Sequence, residues 1–192
     1  MIGYSLILLA GFSIAGCQTS RAGYQSAPYR VVRAAGQFEV RDYPPLAVVE
    51  TPMQGRDSGM NGSFRRLFKF ITGKNESKEK IAMTTPVFIT GNESNATMAF
   101  VMPSKFSAEK VPTPVDSSVK VRELPAGRFA VMRFSGRHNA KNEQKALNQL
   151  KQWMASERMA ELSPPVYGYF DPPWILPFLR RNEVMLRTDS GQ

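Results

Sequence analysis

Short runs in which apolar and polar positions alternate recur along the chain, and this two-residue period is typical of half-buried β-strands. The first clear run is Phe38–Tyr43, which two prolines end, and the extended pattern resumes over residues 46–50. Further strands are predicted over residues 80–89, 97–102, 119–124, 129–134, 166–170 and 183–187. Pro86 interrupts the run at 80–89, and a proline inside a strand requires an edge position or a bulge.

Two segments instead have the three- and four-residue spacing of an amphipathic helix. The first helix is expected to be capped by Asp57 or Ser58 and to end at Gly73. Its apolar face is formed by Met60, Phe64, Leu67, Phe68 and Ile71. The second helix is expected to begin after a capping residue, Asn139. Its face is formed by Ala140, Leu147, Leu150, Trp153 and Met154.

A short phrase occurs twice and divides the chain into two similar halves. The sequence VRDYP at residues 40–44 returns as VRELP at 121–125, an offset of 121 − 40 = 81 residues. After each copy the predicted order is strand, helix, strand, strand, and the phrase itself lies in a strand. Adjacent strands with occasional helices favour an antiparallel α+β domain over a parallel, doubly wound sheet. The repeat also predicts a ligand groove where the halves meet.

Composition indicates the class of the protein, and the cysteine count excludes a disulfide bond within the chain. The chain has 192 residues, of which 42% are hydrophobic and 21% charged, as in an ordinary globular domain. Cys17 is the only cysteine, so no disulfide forms within the chain. The formal net charge is +9. Charge alone would suit a nucleic-acid partner, but no recognition motif supports one and the amino terminus indicates export.

The amino terminus is typical of an exported lipoprotein. Residues 1–17 are apolar or small and uncharged, too short for a comfortable bilayer span, and predict a signal peptide. The sequence IAGC at 14–17 resembles a bacterial lipobox, in which Cys17 receives diacylglycerol. Residues 18–36 predict a flexible tether. We therefore expect a lipid-anchored protein of the cell envelope, on the outer membrane and facing the periplasm, with Cys17 in the membrane.

Candidate catalytic groups are few. The chain has no glycine-rich phosphate loop, no Ser-His-Asp spacing and no metal-ligand cluster, so we expect a protein that is not an enzyme. The one histidine, His138, is interpreted as an exposed turn residue or as an axial iron ligand. An enzymatic function would require a buried glutamate or tyrosine in the groove, with a perturbed pKa.

An apolar loop before the last strand is the strongest candidate for ligand binding. Trp174 and Phe178 lie in a segment that three prolines stiffen, and Arg180 and Arg181 follow it. Such a loop suits a flat hydrophobic ligand with carboxylates, which arginines pair with in forked geometry. The alternative is that the loop covers the end of the sheet. The aromatic residues of the first helix have the same two interpretations, ligand contact or core packing.

Four segments together resemble the SOUL haem-binding protein family. They are FEVRDYPPLAVVET (38–51), FITGKNESKEKIAMTTPV (70–87), FVMPSKF (100–106) and YFDPPWILPFLRRNEVML (169–186). The resemblance implies an α+β fold, a distorted antiparallel β-barrel flanked by two helices and built from two similar βαββ-like halves. The domain would span residues 37–188, with halves 37–103 and 117–188. The fold is also similar to bacterial effector-binding domains that accept apolar ligands.

The resemblance also implies a binding site. Its apolar contacts would come from Phe64, Phe68, Trp174 and Phe178, and Arg180 and Arg181 would pair with propionates. Some members carry a histidine, proposed as axial ligand, where this chain has Asp42. Haem would then be held by apolar contact and propionate pairing, or through Met60 or His138, and weak, exchangeable binding is expected. The expected function is a lipid-anchored carrier or buffer of haem or a related porphyrin. The alternative is an envelope sensor or scaffold that binds another apolar ligand.

Overall fold

The described part of the chain is an α+β domain. The computed structural model describes residues 23–53, 62–92 and 94–189, and within them eleven strands and two α-helices are formed. The strands are β1 Gln25–Ser26, β2 Arg30–Ala35, β3 Phe38–Tyr43, β4 Leu46–Pro52, β5 Thr84–Thr85, β6 Val87–Thr90, β7 Thr97–Val101, β8 Lys120–Leu124, β9 Gly127–Phe134, β10 Val166–Tyr169 and β11 Asn182–Thr188. The helices are α1 Ser63–Ile71 and α2 Ala140–Ser156.

Nine of these strands form one antiparallel sheet, which confirms the predicted fold class. The order is β2-β3-β9-β11-β10-β6-β7-β4-β8, and each neighbouring pair is antiparallel. In the described ranges β2 and β8 do not pair with each other, so the sheet is an open, curled cup and not a closed barrel. The short strands β1 and β5 pair in parallel beside it.

The sheet order shows that the two halves are related by a pseudo-twofold axis. The equivalent strands are β3 and β8, β4 and β9, β6 and β10, and β7 and β11. Exchanging each strand for its equivalent and reading the order backwards from β8 to β3 returns the same order. The axis passes between β6 and β10, where Phe88 lies opposite Gly168. The repeated phrase therefore marks a real structural repeat.

The core has a layer under each helix and a third layer on the opposite face of the sheet. In the first half, Leu67, Phe70 and Ile71 of α1 pack on apolar residues of β4, β6 and β7. In the second half, α2 packs in the same way on β9, β10 and β11. The third layer joins strands of both halves, with Val48 and Val131 as members. All members of the three layers lie between residues 27 and 186, so a chain beginning at residue 17 retains them.

Three local predictions are corrected by the structure. The predicted tether, residues 18–36, is wrong where β2 pairs with β3, and the domain begins before residue 37. This edge strand is almost fully exposed, so backbone pairing and not a buried apolar face holds it. The predicted strand at 80–89 is divided at Pro86, which has no N–H for the ladder. Ala140 is exposed and not part of the buried face of α2.

Two of the residues predicted to end the helices, Asn139 and Gly73, lie in the described part of the chain and are confirmed. The side chain of Asn139 accepts a hydrogen bond of 2.9 Å from the backbone N–H of Asn142 at the start of α2. Gly73 follows the end of α1 with φ of +107°, a conformation that glycine adopts without strain. The first helix begins at Ser63, so the predicted caps Asp57 and Ser58 lie outside the described residues.

The amino-terminal predictions also lie outside the described residues. They concern the signal peptide at 1–17, the anchor Cys17 and the start of the tether, as well as the candidate iron ligand Met60. Across the residues that the structure does describe, neither helix has the length and apolar character needed to cross a membrane.

Candidate functional site

A groove of about 490 Å³ opens where the two halves meet, as the repeat predicted. Its floor is formed by strands next to the pseudo-twofold axis, and its walls by α1 on one side and the loop before β11 on the other. The lining residues are Tyr24, Met53, Phe64, Phe68, Met83, Thr85, Val87, Ile89, Met98, His138, Tyr169, Phe170, Asp171, Pro172, Pro173, Trp174, Arg180 and Asn182. Four of the six residues that the resemblance assigned to ligand binding are among them.

The α1 wall is formed by two stacked phenylalanines. The rings of Phe64 and Phe68 lie 5.9 Å apart and are inclined by only 14°. Phe64 also meets Phe100 edge to face at 5.1 Å, which joins the wall to the core. Phe68 is exposed. The apolar face of α1 is thus divided between core residues and residues that face the groove.

The opposite wall is the proline-rich loop that carries Trp174. Pro172, Pro173 and Trp174 line the groove, and the indole is largely exposed to solvent. Phe178, four residues later, is also exposed, but it is not among the lining residues. The structure therefore brings Trp174 to Phe64 and Phe68 across one groove and places Phe178 outside it.

Arg180 holds this loop in place as well as facing the groove. Its Nε donates to the carbonyl of Ile175 at 2.8 Å and its Nη2 donates to the carbonyl of Pro173 at 2.5 Å. Only Nη1 has no partner among the described residues. The two loop bonds use two of the five guanidinium N–H groups, so the N–H groups of Nη1 and the second N–H of Nη2 are left for a carboxylate.

Arg181 points away from the groove into a buried ion network. Its guanidinium donates to Glu183 at 2.6 and 2.9 Å and to the hydroxyl of Tyr29 at 3.3 Å. Burial alone would lower the pKa of Arg181, but the charge of Glu183 and these hydrogen bonds outweigh it and raise the pKa. This guanidinium does not line the groove, because the carboxylate of Glu183 already holds it.

His138, Glu143 and Tyr169 form a polar cluster in the groove wall. Tyr169 donates a hydrogen bond to the buried Glu143. The imidazole of His138 lies 4.5 Å from the Tyr169 ring, and its Nε2 lies 2.8 Å from Oε1 of Glu143. That close approach does not have hydrogen-bond alignment, and Nε2 is buried without a hydrogen-bond partner. His138 is therefore a groove residue and not a free turn residue.

Sequence reasoning missed Glu143 and three methionines. Glu143 was not predicted, because a glutamate in an amphipathic helix is normally expected on the solvent-exposed face. Met83 and Met98 lie in predicted strands and Met53 in no predicted element, yet all three line the groove. The only signal for them was Met83 in the family-specific run at 70–87. Within the described ranges, no three His, Cys, Asp or Glu side chains are grouped as a metal site would require.

Asp42 lies outside the groove. It accepts hydrogen bonds from Arg128 at 2.7 Å and from Arg30 at 2.5 Å, beside a separate surface hollow. The hydrogen bond from Arg128, together with Arg30, holds the pKa of Asp42 below its ordinary value. The position at which some relatives carry a histidine thus has a structural ion pair in this chain and no access to the groove.

Comparison with known families and proteins gives a consistent result. The family model described as SOUL heme-binding protein matches residues 24–187. Heme-binding protein 2 of Homo sapiens is 30% identical over 162 residues, which cover 79% of this chain and 78% of that protein. Heme-binding protein 1 of Xenopus tropicalis is 26% identical over 156 residues, covering 77% and 81%.

Solved structures extend the similarity of fold to proteins with other names. The C-terminal domain of EcmrR superimposes with a TM-score of 0.59 at 12% identity, covering 80% of this chain and 97% of that domain. A hydrolase from Listeria innocua superimposes with a TM-score of 0.56 at 12% identity, covering 82% and 94%. At this identity the likeness concerns the fold alone.

Proposed function

The chain belongs to the SOUL heme-binding protein family, and from that membership we propose that it binds haem or a related porphyrin in the groove between its halves. The observation that carries the proposal is the pair of facing walls, the stacked Phe64 and Phe68 on one side and Trp174 on the other. The role is that of a carrier or buffer and not of an enzyme.

The groove has the volume of a small-ligand pocket and a lining that suits a flat conjugated ring. Its volume of about 490 Å³ is in the range of pockets that bury most of a small organic ligand. Aromatic side chains cover a flat conjugated ring by offset stacking or edge contact, and each such contact adds about 0.5–1.5 kcal/mol beyond the area it buries. The methionines behind them adapt their shape, because their side chains are unbranched and flexible.

One carboxylate of the ligand would be paired by Arg180. The free Nη1 is directed by the two loop bonds of the same guanidinium, so the charge is positioned before the ligand arrives. A second carboxylate has no arginine in the groove and would remain at the solvent edge. We therefore expect only a modest loss of affinity when the carboxylates are esterified.

Two kinds of side chain are available to a porphyrin metal. Haem would supply an iron, which imidazole nitrogens or thioethers of the protein can bind. Nε2 of His138 lies 2.8 Å from the carboxylate of Glu143, so Nδ1 is the ring nitrogen that would hold the metal, and Met83 would offer a thioether in the groove. The carboxylate of Glu143 would orient the imidazole and favour its binding to a metal.

The location of the protein is part of the same proposal. We propose that Cys17 receives diacylglycerol, becomes the first residue when residues 1–16 are cleaved off, and anchors the domain to the outer membrane, facing the periplasm. The support is the lipobox-like sequence and the sole cysteine at its end. Expression in the native host with Cys17→Ser should release the domain from the membrane fraction, and mature protein with an unmodified cysteine would contradict the anchor.

Haemin titration of the mature chain, residues 17–192, tests binding. The expected result is a saturable Soret shift at micromolar haemin. Trp174→Ala should weaken binding about 5- to 10-fold, because it removes one wall of the groove. Phe178→Ala is the matched control from the same loop and should leave the titration unchanged. A flat titration of the parent chain, or equal losses in the two variants, would overturn the assignment of the groove.

A second candidate ligand class is an apolar molecule without a metal, bound by an envelope sensor or scaffold. It is favoured by the lining of the groove, in which Arg180 is the one arginine and already donates two hydrogen bonds to the loop. Mass spectrometry of the protein purified from its host envelope separates the classes, since a tetrapyrrole and a non-porphyrin ligand differ in mass and in absorbance.

A further inference from the structure

The loop at residues 172–179, here called the rim loop, presents an unusual density of large apolar side chains to solvent. The exposed fractions are 76% for Trp174, 56% for Leu176, 69% for Phe178 and 54% for Leu179. Single exposed apolar residues are ordinary on protein surfaces, but a contiguous group indicates an interaction surface. Only Trp174 of the four lines the groove, so ligand binding alone does not explain the other three.

The rim loop is held rigidly in this projecting conformation. Arg180 ties the carbonyls of Pro173 and Ile175. The carbonyl of Pro177 accepts a hydrogen bond of 2.9 Å from the backbone N–H of Gly136, which fixes the loop to the segment before α2. These bonds fix the backbone of the loop, so ordering the loop costs little when its apolar side chains meet a partner.

The chain enters the domain at the same place. Tyr24 lines the groove together with Trp174. Residue 24 is 24 − 17 = 7 residues after Cys17, and seven residues extend over at most about 25 Å. This reach is shorter than the width of a domain of this size, about 40 Å, so an anchor at Cys17 would keep the groove end of the domain near the membrane.

Basic residues surround this end of the molecule. Arg65 and Lys69 are exposed on α1 on either side of Phe68, and Arg137 is exposed next to the segment that holds the rim loop. The net charge of +9 is carried entirely after residue 20. Basic residues around an apolar tip match an anionic phospholipid surface better than they match a second copy of this basic chain, because two copies would repel.

We propose that the rim loop inserts into the interfacial layer of an anionic phospholipid bilayer and turns the mouth of the groove toward the lipid. Tryptophan favours this layer because its amphipathic ring meets both the polar and the apolar region, and phenylalanine and leucine are apolar residues that interfacial segments bury beside it. The inference rests on the proposed function in taking Cys17 as the anchor. An apolar ligand dissolved in the bilayer then reaches the groove without crossing bulk water.

The two tryptophans make the experiment specific. Trp153 lies far along α2 from the rim loop, stacked on Phe38 at 4.9 Å, so Trp153→Phe and Trp174→Phe give single-tryptophan proteins with a rim probe and a remote probe. The mature chain, residues 17–192, is coupled through its sole cysteine to a maleimide phospholipid in phosphatidylglycerol–phosphatidylcholine vesicles, without haemin. Coupling through the thiol makes the test independent of lipidation in the cell.

Shallow nitroxide-labelled lipids should quench Trp174 by more than half and shift its emission to shorter wavelength, and should leave Trp153 nearly unchanged. Leu176→Asp with Phe178→Asp should abolish the quenching of Trp174 and leave haemin binding in solution intact. Unquenched Trp174 would overturn the proposal, as would equal quenching of both tryptophans. Concentration-dependent cross-linking through the rim loop, without quenching, would assign the surface to a second copy instead. Failure of the haemin titration alone would overturn the proposed ligand and not the lipid contact.

Discussion

At the scale of single residues, the repeated phrase places one arginine in two different environments. Arg41, in the first copy, is completely buried and bonds to Glu183 at 2.7 and 2.9 Å and to Glu39 at 2.6 Å. Arg122, in the second copy, is exposed and pairs with Glu50 at 3.2 Å. The difference arises because β3 has a neighbour on each side, whereas β8 is the last strand of the sheet.

This contrast gives a matched pair of substitutions. Arg41→Ala should lower the free energy of unfolding by about 3–5 kcal/mol, because it leaves Glu183 buried without one of its cationic partners. Arg122→Ala should change it by less than about 1 kcal/mol, as is usual for an exposed pair. Urea denaturation at neutral pH, followed by far-ultraviolet circular dichroism, measures both. Equal losses would mean that the buried network contributes no more than a surface ion pair.

Glu183 also predicts how stability depends on pH. Burial opposes its ionisation, but the hydrogen bonds and charges of Arg41 and Arg181 outweigh burial and hold its pKa below the ordinary value of 4.5. A carboxyl with a depressed pKa in the folded state contributes stability that is fully present above its unfolded pKa and is lost as pH falls through its folded pKa.

Unfolding free energies measured from pH 7 to pH 3 should therefore fall steeply below about pH 4.5 in the parent chain. Glu183→Gln should be less stable at pH 7, and its stability should fall less over the same interval, because one titrating group has been removed. Parallel curves for the two proteins would show that Glu183 does not titrate differently in the folded and unfolded states.

At the scale of elements, the sequence predicts the helices and strands that have a periodic apolar face. It does not predict a strand that is held only by backbone hydrogen bonds to its neighbour. Strand β3 and the cap of α2 have their predicted positions. The apolar strand β4 also begins at its predicted residue. Strand β2 has no buried face to produce a pattern, and it was read as a tether. The groove residues Glu143 and Met83 come together only through the tertiary fold, so no local pattern identifies them.

The cap of α2 gives a further prediction, at the residue directly after the groove residue His138. Asn139→Ala should lower the free energy of unfolding by about 1 kcal/mol, since the N–H of Asn142 loses its acceptor. Asn139→Asp should retain the cap and favour the helix dipole. Asn148→Ala, at an exposed position of the same helix, is the control for helix propensity. If Asn139→Ala is no less stable than Asn148→Ala, the cap contributes nothing measurable.

At the scale of the whole molecule, the two halves are similar in sequence order but are not independent units. Strand β3 of the first half pairs with β9 of the second, and β8 of the second half pairs with β4 of the first. Val119, from the second half, is also buried in the layer under α1. The pseudo-twofold arrangement therefore divides both the sheet and the core between the halves, and the groove forms at the central junction of β6 and β10, to which both halves contribute.

The two halves should accordingly fold only together. A break before Ser117, at an exposed position, gives fragments 23–116 and 117–189. Each fragment alone leaves one face of its strands uncovered, because the third core layer combines strands of both halves. We expect dispersed proton–nitrogen NMR spectra and a cooperative thermal transition only after mixing, together with recovery of haemin binding. A cooperative transition in either isolated fragment would show that one half forms a complete core and that the repeat consists of two autonomous units.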